Sequence, residues 1–224
     1  MVERMIVGPL FTNAYIVSVG KKECVVIDPG AEGQKICARL EVLNVAPKAI
    51  IATHGHIDHT GAIGHILSVY GDDIPVCIHE ADADFLAESA AKTNRETFAR
   101  FGDQGTEVMD ELYNETPKPT VLLKQGDTIL ESDFQVLHTP GHTPGGISLY
   151  SEERGVVFSG DTLFFKGIGR TDIPGGDAEQ LRHSIEKVLF ELPPETRLFP
   201  GHGPNSTIER EKRNNPLHSD GQPI

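Results

Sequence analysis

The chain has 224 residues, a length that suits one domain or one domain with an elaboration. Apolar residues make up 38% of it, which is enough for a sizeable core. Lysine and arginine total 20 and aspartate and glutamate total 33, so the formal net charge is −13. This negative balance argues against nucleic acid and anionic membrane surfaces as partners.

We expect neither a transmembrane helix nor a secretory signal. No run of about 18 apolar residues occurs, and the first residues lack an apolar core followed by a cleavage site. The three cysteines, Cys24, Cys37 and Cys77, each lie in an apolar stretch. They are expected to be reduced, packed thiols, which favours a cytoplasmic location.

The first half of the chain alternates short β-branched runs with turns and helical patterns. Apolar spacing over 36–43 predicts an amphipathic helix that Pro47 ends. A second helix is predicted from about Gly61, with its apolar face running from Ile63 to Tyr70. Strands are predicted at Arg4–Val7, Ala14–Val19, Cys24–Asp28, Lys48–Thr53 and Ile74–His79.

The second half begins with a stretch of different composition. Residues 80–116 are rich in Ala, Glu, Asp and Thr and are predicted to form a helical, partly exposed insertion. Asp177 and Ser206 each begin a capping-box pattern, which predicts one helix and then a short terminal helix with a tail over about 206–224. Strands are predicted at Thr128–Leu130, Phe134–Thr139, Ile147–Tyr150, Gly155–Ser159 and Arg197–Phe199.

Two strand-rich stretches, each with helices, favour two sheets packed on each other with helices outside. The fold class is therefore predicted as α+β. We expect a single domain over 1–224, with 80–116 as an insertion and not a second domain.

Four candidate metal ligands fall in one short loop between a predicted strand and a predicted helix. They are His54, His56, Asp58 and His59. Alternate residues of extended backbone share a face, which places His54 and His56 together. The turn into the helix sends the other two elsewhere, so one loop can supply ligands to two adjacent metals. The spacing differs from the helical His-Glu-x-x-His zinc motif.

Three more candidates, His142, Asp161 and His202, each follow a glycine on a loop after an apolar run. Singly each is a weak signal, because Gly-His and Gly-Asp are common in turns. With the first loop they supply five histidines and two aspartates, which suits a two-metal site. Histidines in helix or strand contexts are predicted to be structural: His65, His79, His138 and His183.

The ordered series His-x-His-x-Asp-His, then His, Asp and His, over 54–202, resembles the metallo-β-lactamase superfamily. The resemblance implies an αββα sandwich of two mixed sheets with helices on the outer faces and the site at one sheet edge. It also implies two divalent metal ions, zinc first, with iron or manganese as alternatives. The implied ligands are His54, His56 and His142 for one metal and Asp58, His59 and His202 for the other, with Asp161 bridging.

A two-metal site with a bridging carboxylate favours hydrolysis. Two cations lower the pKa of a shared water, so that hydroxide exists at neutral pH. The cations also polarise a carbonyl and stabilise the tetrahedral oxyanion, so no serine or cysteine nucleophile is needed. Asp58 or Asp161 is the predicted catalytic residue that orients the metal-bound hydroxide.

The chain is most similar to the short glyoxalase II-like hydrolases of this superfamily. Its β-lactamases tend to carry Cys where this chain has Asp161. The implied substrate is a small-molecule thioester, S-D-lactoylglutathione, cleaved to lactate and glutathione. Arg170 stands where the family has a glutathione-contacting lysine, and a guanidinium can pair with a carboxylate. An ion pair with Asp172 or Asp177 is its alternative role, and Lys166 is a second candidate contact.

Two other interpretations stay open. Persulfide dioxygenases share the histidine series and the Gly169–Asp172 pattern, and would use a single iron held by His54 or His56, His142 and Asp161. A closed, structural metal site is the third interpretation. It is disfavoured because such sites are usually rich in cysteine, and none of the three cysteines lies near the series.

Overall fold

The computed structural model describes residues 1–130 and 132–218. These divide into two compact units, an N-terminal unit Met1–Leu122 and a C-terminal unit that begins at Leu123. The end of the predicted tail, 219–224, lies outside the described residues. The single domain over 1–224 stays a prediction.

A mixed six-stranded sheet forms the frame of the N-terminal unit, in the order β1-β2-β3-β4-β5-β6. The pairs β1/β2 and β2/β3 are antiparallel, whereas β3/β4 and β4/β5 are parallel. The strand bounds are Val2–Val7 (β1), Thr12–Ser18 (β2), Glu23–Ile27 (β3), Ala46–Ile51 (β4), Val76–His79 (β5) and Val121–Leu123 (β6).

Helices cover this sheet because their apolar residues recur at helical spacing. Ile36 and Leu40 of the first helix pack with Ile63 of the third and with the strand residues Val26 and Ile50. The helix bounds are Gly33–Leu43 (α1), Ile57–Thr60 (α2), Ile63–Tyr70 (α3), Ala90–Phe98 (α4) and Gly102–Leu112 (α5), with 3₁₀ turns at Glu80–Phe85, Ala87–Ser89 and Ala99–Phe101. The predicted helical stretch 80–116 therefore ends four residues early.

The second sheet is also mixed, in the order β13-β12-β9-β8-β7, beside a small β10-β11 hairpin. The β9/β12 pair is parallel, and the β7/β8, β8/β9 and β12/β13 pairs are antiparallel. The bounds are Gln135–His138 (β7), Ile147–Ser151 (β8), Val156–Gly160 (β9), Leu163–Phe164 (β10), Gly167–Ile168 (β11), Arg197–Pro200 (β12) and Ser206–Thr207 (β13).

Two helices pack on this sheet, Ala178–Lys187 (α6) and Ile208–Asn214 (α7). Leu181 and Ile185 of α6 share a core cluster with Val157 and Leu198 of the sheet. Short 3₁₀ turns follow each helix, at Leu189–Glu191 and Pro216–His218. Two mixed sheets with helices confirm the α+β class.

Parallel strands bring distant residues to one edge of each sheet, because their carboxyl ends point the same way. In the first sheet, Asp28 follows β3, His54 follows β4 and Asp82 follows β5. In the second sheet, Asp161 follows β9 and His202 follows β12. Each unit therefore gathers polar side chains at one edge.

The first helix ends for a different reason from the predicted one. Asn44, with φ 54°, is the left-handed C-cap, and asparagine tolerates this conformation. Pro47 instead lies inside β4, where the register of β3 against β4 shifts between Cys24 and Val25. A proline is tolerated in a sheet at such an irregularity.

Two further expectations meet corrections. The predicted strand at Thr128–Leu130 is only an isolated bridge between Thr128 and Gln135 among the described residues. The N-cap of α7 is Thr207 and not Ser206, because Ser206 belongs to β13. Strand β6 and the β10-β11 hairpin were not predicted. The cap at Asp177 is confirmed, since its carboxylate accepts from the N–H groups of Glu179 and Gln180.

The three cysteines are buried free thiols, as expected. Burial raises the pKa of Cys24 and of Cys77 to about 12. Thiols of this kind are inert at neutral pH. Across residues 1–130 and 132–218, no helix has both the length and the apolar character needed to cross a membrane.

Candidate metal centre

The ligand loop, residues 54–59, joins β4 to α2 and presents four buried donors. His54, His56, Asp58 and His59 are all 6% exposed or less. Nε2 of His54 lies 3.0 Å from Nδ1 of His56. Nε2 of His59 lies 3.4 Å from Oδ2 of Asp58. Within the N-terminal unit, the loop therefore forms two close pairs of possible metal-ligand atoms, one in His54 and His56 and the other in Asp58 and His59.

A buried aspartate sets the tautomers of two of these histidines. Oδ2 of Asp28 accepts hydrogen bonds from Oγ1 of Thr53 at 2.7 Å and from Nδ1 of His59 at 3.0 Å. Because the single hydroxyl proton of Thr53 is donated to Asp28, the Thr53 oxygen accepts a hydrogen bond from Nδ1 of His54 at 3.2 Å. Both imidazoles thus carry their proton on Nδ1, and both Nε2 atoms keep a lone pair.

These tautomers make the loop suitable for metal ions. A nitrogen lone pair facing another donor atom at 3.0 to 3.4 Å needs a proton or a cation between the two atoms. Two nitrogens bound tetrahedrally to one zinc ion are about 3.3 Å apart, given Zn–N bonds of about 2.0–2.1 Å. The donor set and its spacing fit a metal ion.

The insertion after β5 holds the backbone of the ligand loop. Oδ2 of Asp82 accepts from the N–H of Gly55 at 3.0 Å, and Oδ1 of Asn94 accepts from the N–H of Ile57 at 2.8 Å. Both side chains are fully buried. A Cβ at Gly55 would lie 2.1 Å from Cβ of Phe85, so the close approach requires glycine.

The C-terminal unit gathers the other three predicted donors. Oδ2 of Asp161 lies 3.7 Å from Nε2 of His142 and 3.5 Å from Nε2 of His202. Nδ1 of His142 donates to the carbonyl oxygen of Arg170 at 2.8 Å, which leaves its Nε2 as an acceptor. One carboxylate oxygen therefore lies near two imidazole nitrogens, and these three atoms form a second group of possible metal ligands.

The loop that carries His142 is held by α6 through backbone contacts. The N–H of Asp177 donates to the carbonyl of Gly141 at 2.8 Å. Oγ of Ser184 donates to the carbonyl of Pro140 at 2.7 Å. Helix α6 therefore fixes the path of the chain into His142.

The two predicted substrate contacts lie on the segment that follows Asp161. The guanidinium of Arg170 binds the carboxylate of Asp172 with two hydrogen bonds, of 2.8 and 2.7 Å. This is one of the two ion pairs considered as its alternative role. Lys166 is exposed, and its Nζ lies 5.5 Å from the centre of the Phe165 ring.

Two of the histidines expected to be structural make local contacts. Nδ1 of His79 accepts from the N–H of Ala81 and caps the 3₁₀ turn that follows β5. Nε2 of His138 lies 2.9 Å from the carbonyl oxygen of Pro144 and donates to it. These contacts support the structural interpretation for these two residues.

The sequence-based prediction missed supporting residues, among them Asp28, Asp82 and Asn94. Asp28 was placed at the end of a strand, and the other two fell in the insertion. A usable signal existed only for Asp28, because an acid directly after a buried strand that is parallel to the ligand strand reaches the same sheet edge.

A family comparison bears on this arrangement. The sequence profile of the Metallo-beta-lactamase superfamily matches residues 7–202, a range that contains all seven predicted donors. The chain belongs to the metallo-β-lactamase superfamily. It has the fold of that superfamily, with mixed sheets and helices of the α+β class.

Relatives in this superfamily match almost the whole chain. The "Probable metallo-hydrolase YqgX" of Bacillus subtilis (strain 168) is 39% identical over 217 residues, which cover 96% of this chain and 95% of the relative. The "Hydroxyacylglutathione hydrolase GloC" of Haemophilus influenzae is 38% identical over 208 residues, which cover 92% of each protein.

Solved structures also match almost the whole chain. The BLEG-1 B3 metallo-beta-lactamase is 35% identical, with a TM-score of 0.85 and coverage of 97% of this chain and 99% of that one. TTHA1623 in a di-iron-bound form is 37% identical, with a TM-score of 0.79 and coverage of 96% and 100%. Both structures are similar to the chain over both of its units.

Proposed function

We propose that this chain is a metal-dependent thioester hydrolase of the glyoxalase II type, which converts S-lactoylglutathione to lactate and glutathione. The observation that carries the proposal is the set of buried imidazoles whose tautomers are fixed with the metal-binding nitrogen deprotonated. Similarity to the hydroxyacylglutathione hydrolase GloC supports the thioester as substrate.

We further propose that the two donor sets together hold two divalent ions. One would be bound by His54, His56 and His142, the other by Asp58, His59 and His202, with Asp161 bridging. Zinc is the first candidate, and the di-iron-bound form of TTHA1623 supports iron as the second. When bound, two such ions supply an activated water at neutral pH and polarise the thioester carbonyl.

The protein's own side chains then hold and move protons. Asp28 keeps His59 and His54 in the metal-binding tautomer through its hydrogen bonds to Nδ1 of His59 and to Thr53. Oδ2 of Asp58 accepts from the hydroxyl of Thr12 at 3.0 Å, which fixes the carboxylate. In this proposal Asp58 orients the attacking water and takes its proton.

Arg170 is proposed to bind the anionic end of the thiol part. Its present partner, Asp172, has a side chain that is 70% exposed, and exposed ion pairs contribute little to stability. A substrate carboxylate can therefore replace Asp172 on the guanidinium at low cost. Lys166 is the second proposed contact, because it lies on the same segment and is exposed.

Steady-state hydrolysis of S-D-lactoylglutathione tests the proposal, with protein reconstituted with zinc and separately with iron. We expect kcat/KM above about 10⁴ M⁻¹s⁻¹, the range of a working enzyme. Asp161→Ala is the matched control. It is expected to lower kcat by several orders of magnitude and to reduce the bound metal.

Two further substrates make a negative result informative. If the iron-loaded protein consumes oxygen with glutathione persulfide as substrate, the proposed function changes from a hydrolase to a single-iron dioxygenase. Hydrolysis of a β-lactam such as nitrocefin, with no activity on the thioester, would assign the activity of the BLEG-1 relative instead.

A further inference from the structure

A buried carboxyl group in the last helix has no role in the proposed chemistry. Glu211 of α7 is fully buried. Its Oε2 accepts from the N–H of Lys166 at 2.8 Å and from Nδ2 of Asn215 at 3.0 Å, and its Oε1 accepts from the hydroxyl of Ser206. A carboxyl group with three donors is a strong, directional anchor.

Asn215 extends this anchor to the same segment. Its side-chain amide donates to the carbonyl of Gly167 at 3.0 Å and to that of Phe164 at 3.4 Å. The residue is 2% exposed. Together Glu211 and Asn215 bind three backbone groups of residues 164–167, which form the turn of the β10-β11 hairpin.

The turn needs such an anchor because its backbone is strained. Lys166 adopts φ 55°, in the left-handed region that disfavours residues other than glycine and asparagine. The backbone N–H of this same residue donates the hydrogen bond to Glu211. The hydrogen bond therefore falls at the residue where the turn would most readily relax.

The hairpin leads directly to two proposed metal ligands. Asp161 lies two residues before β10, and the N–H of Gly169 donates to the carbonyl of Thr162 at 3.3 Å. A Cβ on Gly169 would lie 1.8 Å from the carbonyl oxygen of Asp161, so the end of the hairpin packs against the backbone of that ligand. The next residue, Arg170, offers the carbonyl that binds Nδ1 of His142.

We propose that Glu211 and Asn215 are positioning residues for Asp161 and His142. They fix the β10-β11 turn, and the turn fixes both the backbone of Asp161 and the carbonyl that orients His142. The inference rests on the proposed metal centre and not on the thioester substrate.

Cobalt binding to the full chain tests this inference without any assay of activity. Variants Asn215→Ala, Asn215→Asp and Glu211→Ala are titrated with Co²⁺ against a chelator, well below their melting temperatures, and the visible spectrum of bound Co²⁺ is recorded. We expect affinity to fall about tenfold or more, as for other supporting residues of metal sites, and the spectrum to change.

Neighbouring residues of α7 provide matched controls. Asn214→Ala and Glu209→Gln change exposed residues of the same types, which bind Arg210 and Arg213 on the same helix. Glu211→Gln should keep near-native affinity, because its amide oxygen can accept from Lys166 and Asn215 while its NH₂ donates to Ser206.

A purely structural role gives a different pattern. It predicts lower melting temperatures of the metal-free variants with unchanged cobalt affinity and spectrum in the folded protein, and that result would overturn the proposal. Wild-type protein that binds no Co²⁺ would overturn both the metal centre and this inference. Cobalt binding without thioester hydrolysis would overturn only the substrate.

Discussion

The two donor sets are built in different ways. In the N-terminal unit, four donors lie within residues 54–59. The side chains of Asp28, after β3, of Asp82, in a 3₁₀ turn, and of Asn94, in α4, hold them. In the C-terminal unit, three donors are spread between residues 142 and 202. They are held mainly through backbone groups, such as the Arg170 carbonyl that binds His142.

This difference determines where each set is vulnerable. The ligand loop depends on buried polar side chains from elsewhere in the unit, so a single substitution can remove a support. A dispersed set takes its geometry from the ends of strands and from the hairpin. Substitutions next to the first set should therefore change metal binding most, whereas those remote from either set should change stability alone.

The largest expected effect is that of Asp28→Asn. Asparagine tolerates the φ of 51° at this position, but its one amide oxygen cannot replace both carboxylate oxygens. Oδ1 of Asp28 accepts from the N–H of Thr53, and Oδ2 accepts from the Thr53 hydroxyl and from Nδ1 of His59. Metal affinity should fall about 10- to 100-fold, measured by titration against a chelator. The buried donors that lose their acceptor should also lower the free energy of unfolding by about 1–3 kcal/mol.

Glu32→Gln is the matched control for this variant, because Glu32 also has a positive φ, of 53°, and its side chain is 46% exposed. It should leave metal affinity unchanged. If Asp28→Asn binds metal with native affinity, Asp28 does not fix the tautomers of His59 and His54.

A smaller effect is expected for Asn94→Ala. The substitution leaves the N–H of Ile57 without its acceptor inside the protein, a loss of about 1–3 kcal/mol in the free energy of unfolding. Metal affinity should fall less than in Asp28→Asn, because no donor atom or tautomer is altered. Urea denaturation of the metal-free protein measures the first quantity and chelator competition the second.

The adjacent residue is the control for that comparison. The hydroxyl of Thr93 donates to the carbonyls of Asp84 and Ser89, both within the insertion and outside the ligand loop. Thr93→Ala should therefore be close to neutral. Equal effects of the two substitutions would mean that Asn94 stabilises the insertion and not the ligand loop.

Local patterns predicted most elements and the donors, but not what supports them. Apolar spacing located α1, α3 and α6, since burial of one helix face is a local signal. The prediction of a strand at Thr128–Leu130 was wrong, because among the described residues this segment makes only one bridge, from Thr128 to Gln135. Pairing partners of this kind are decided by tertiary contacts and not by propensity.

The supporting residues were hidden for a related reason. Asp28 precedes Pro29 and Gly30, a composition typical of a turn, yet its carboxylate reaches Thr53 across the sheet edge. Asn94 lies inside a helix with nothing in its neighbourhood to mark it. Contacts over such sequence separations depend on the order and direction of strands, which periodicity alone does not specify.

The smallest expected effect concerns an ion pair at the far end of β8 and β9 from the donors. Nη2 of Arg154 lies 2.6 Å from Oδ1 of Asp133. Burial alone would raise the pKa of Asp133, but hydrogen bonds from Arg154 and Ser151 outweigh it and lower the pKa below its ordinary 3.8. The stabilisation is therefore present above pH 3.8 and is lost as the pH falls through the lowered pKa.

A double-mutant cycle of Asp133→Asn and Arg154→Met, with urea denaturation of the metal-free protein in steps from pH 6 to pH 3, measures this pair. We expect a coupling free energy of about 1 kcal/mol at pH 6 that shrinks toward pH 3. Metal affinity should stay native in both single variants, because the pair lies at the opposite end of β8 and β9 from His142 and Asp161. If either variant loses as much metal affinity as Asp28→Asn, residues remote from the metal ligands affect metal binding as strongly as those that hold the ligand loop. The distinction between the two kinds of residue would then be wrong.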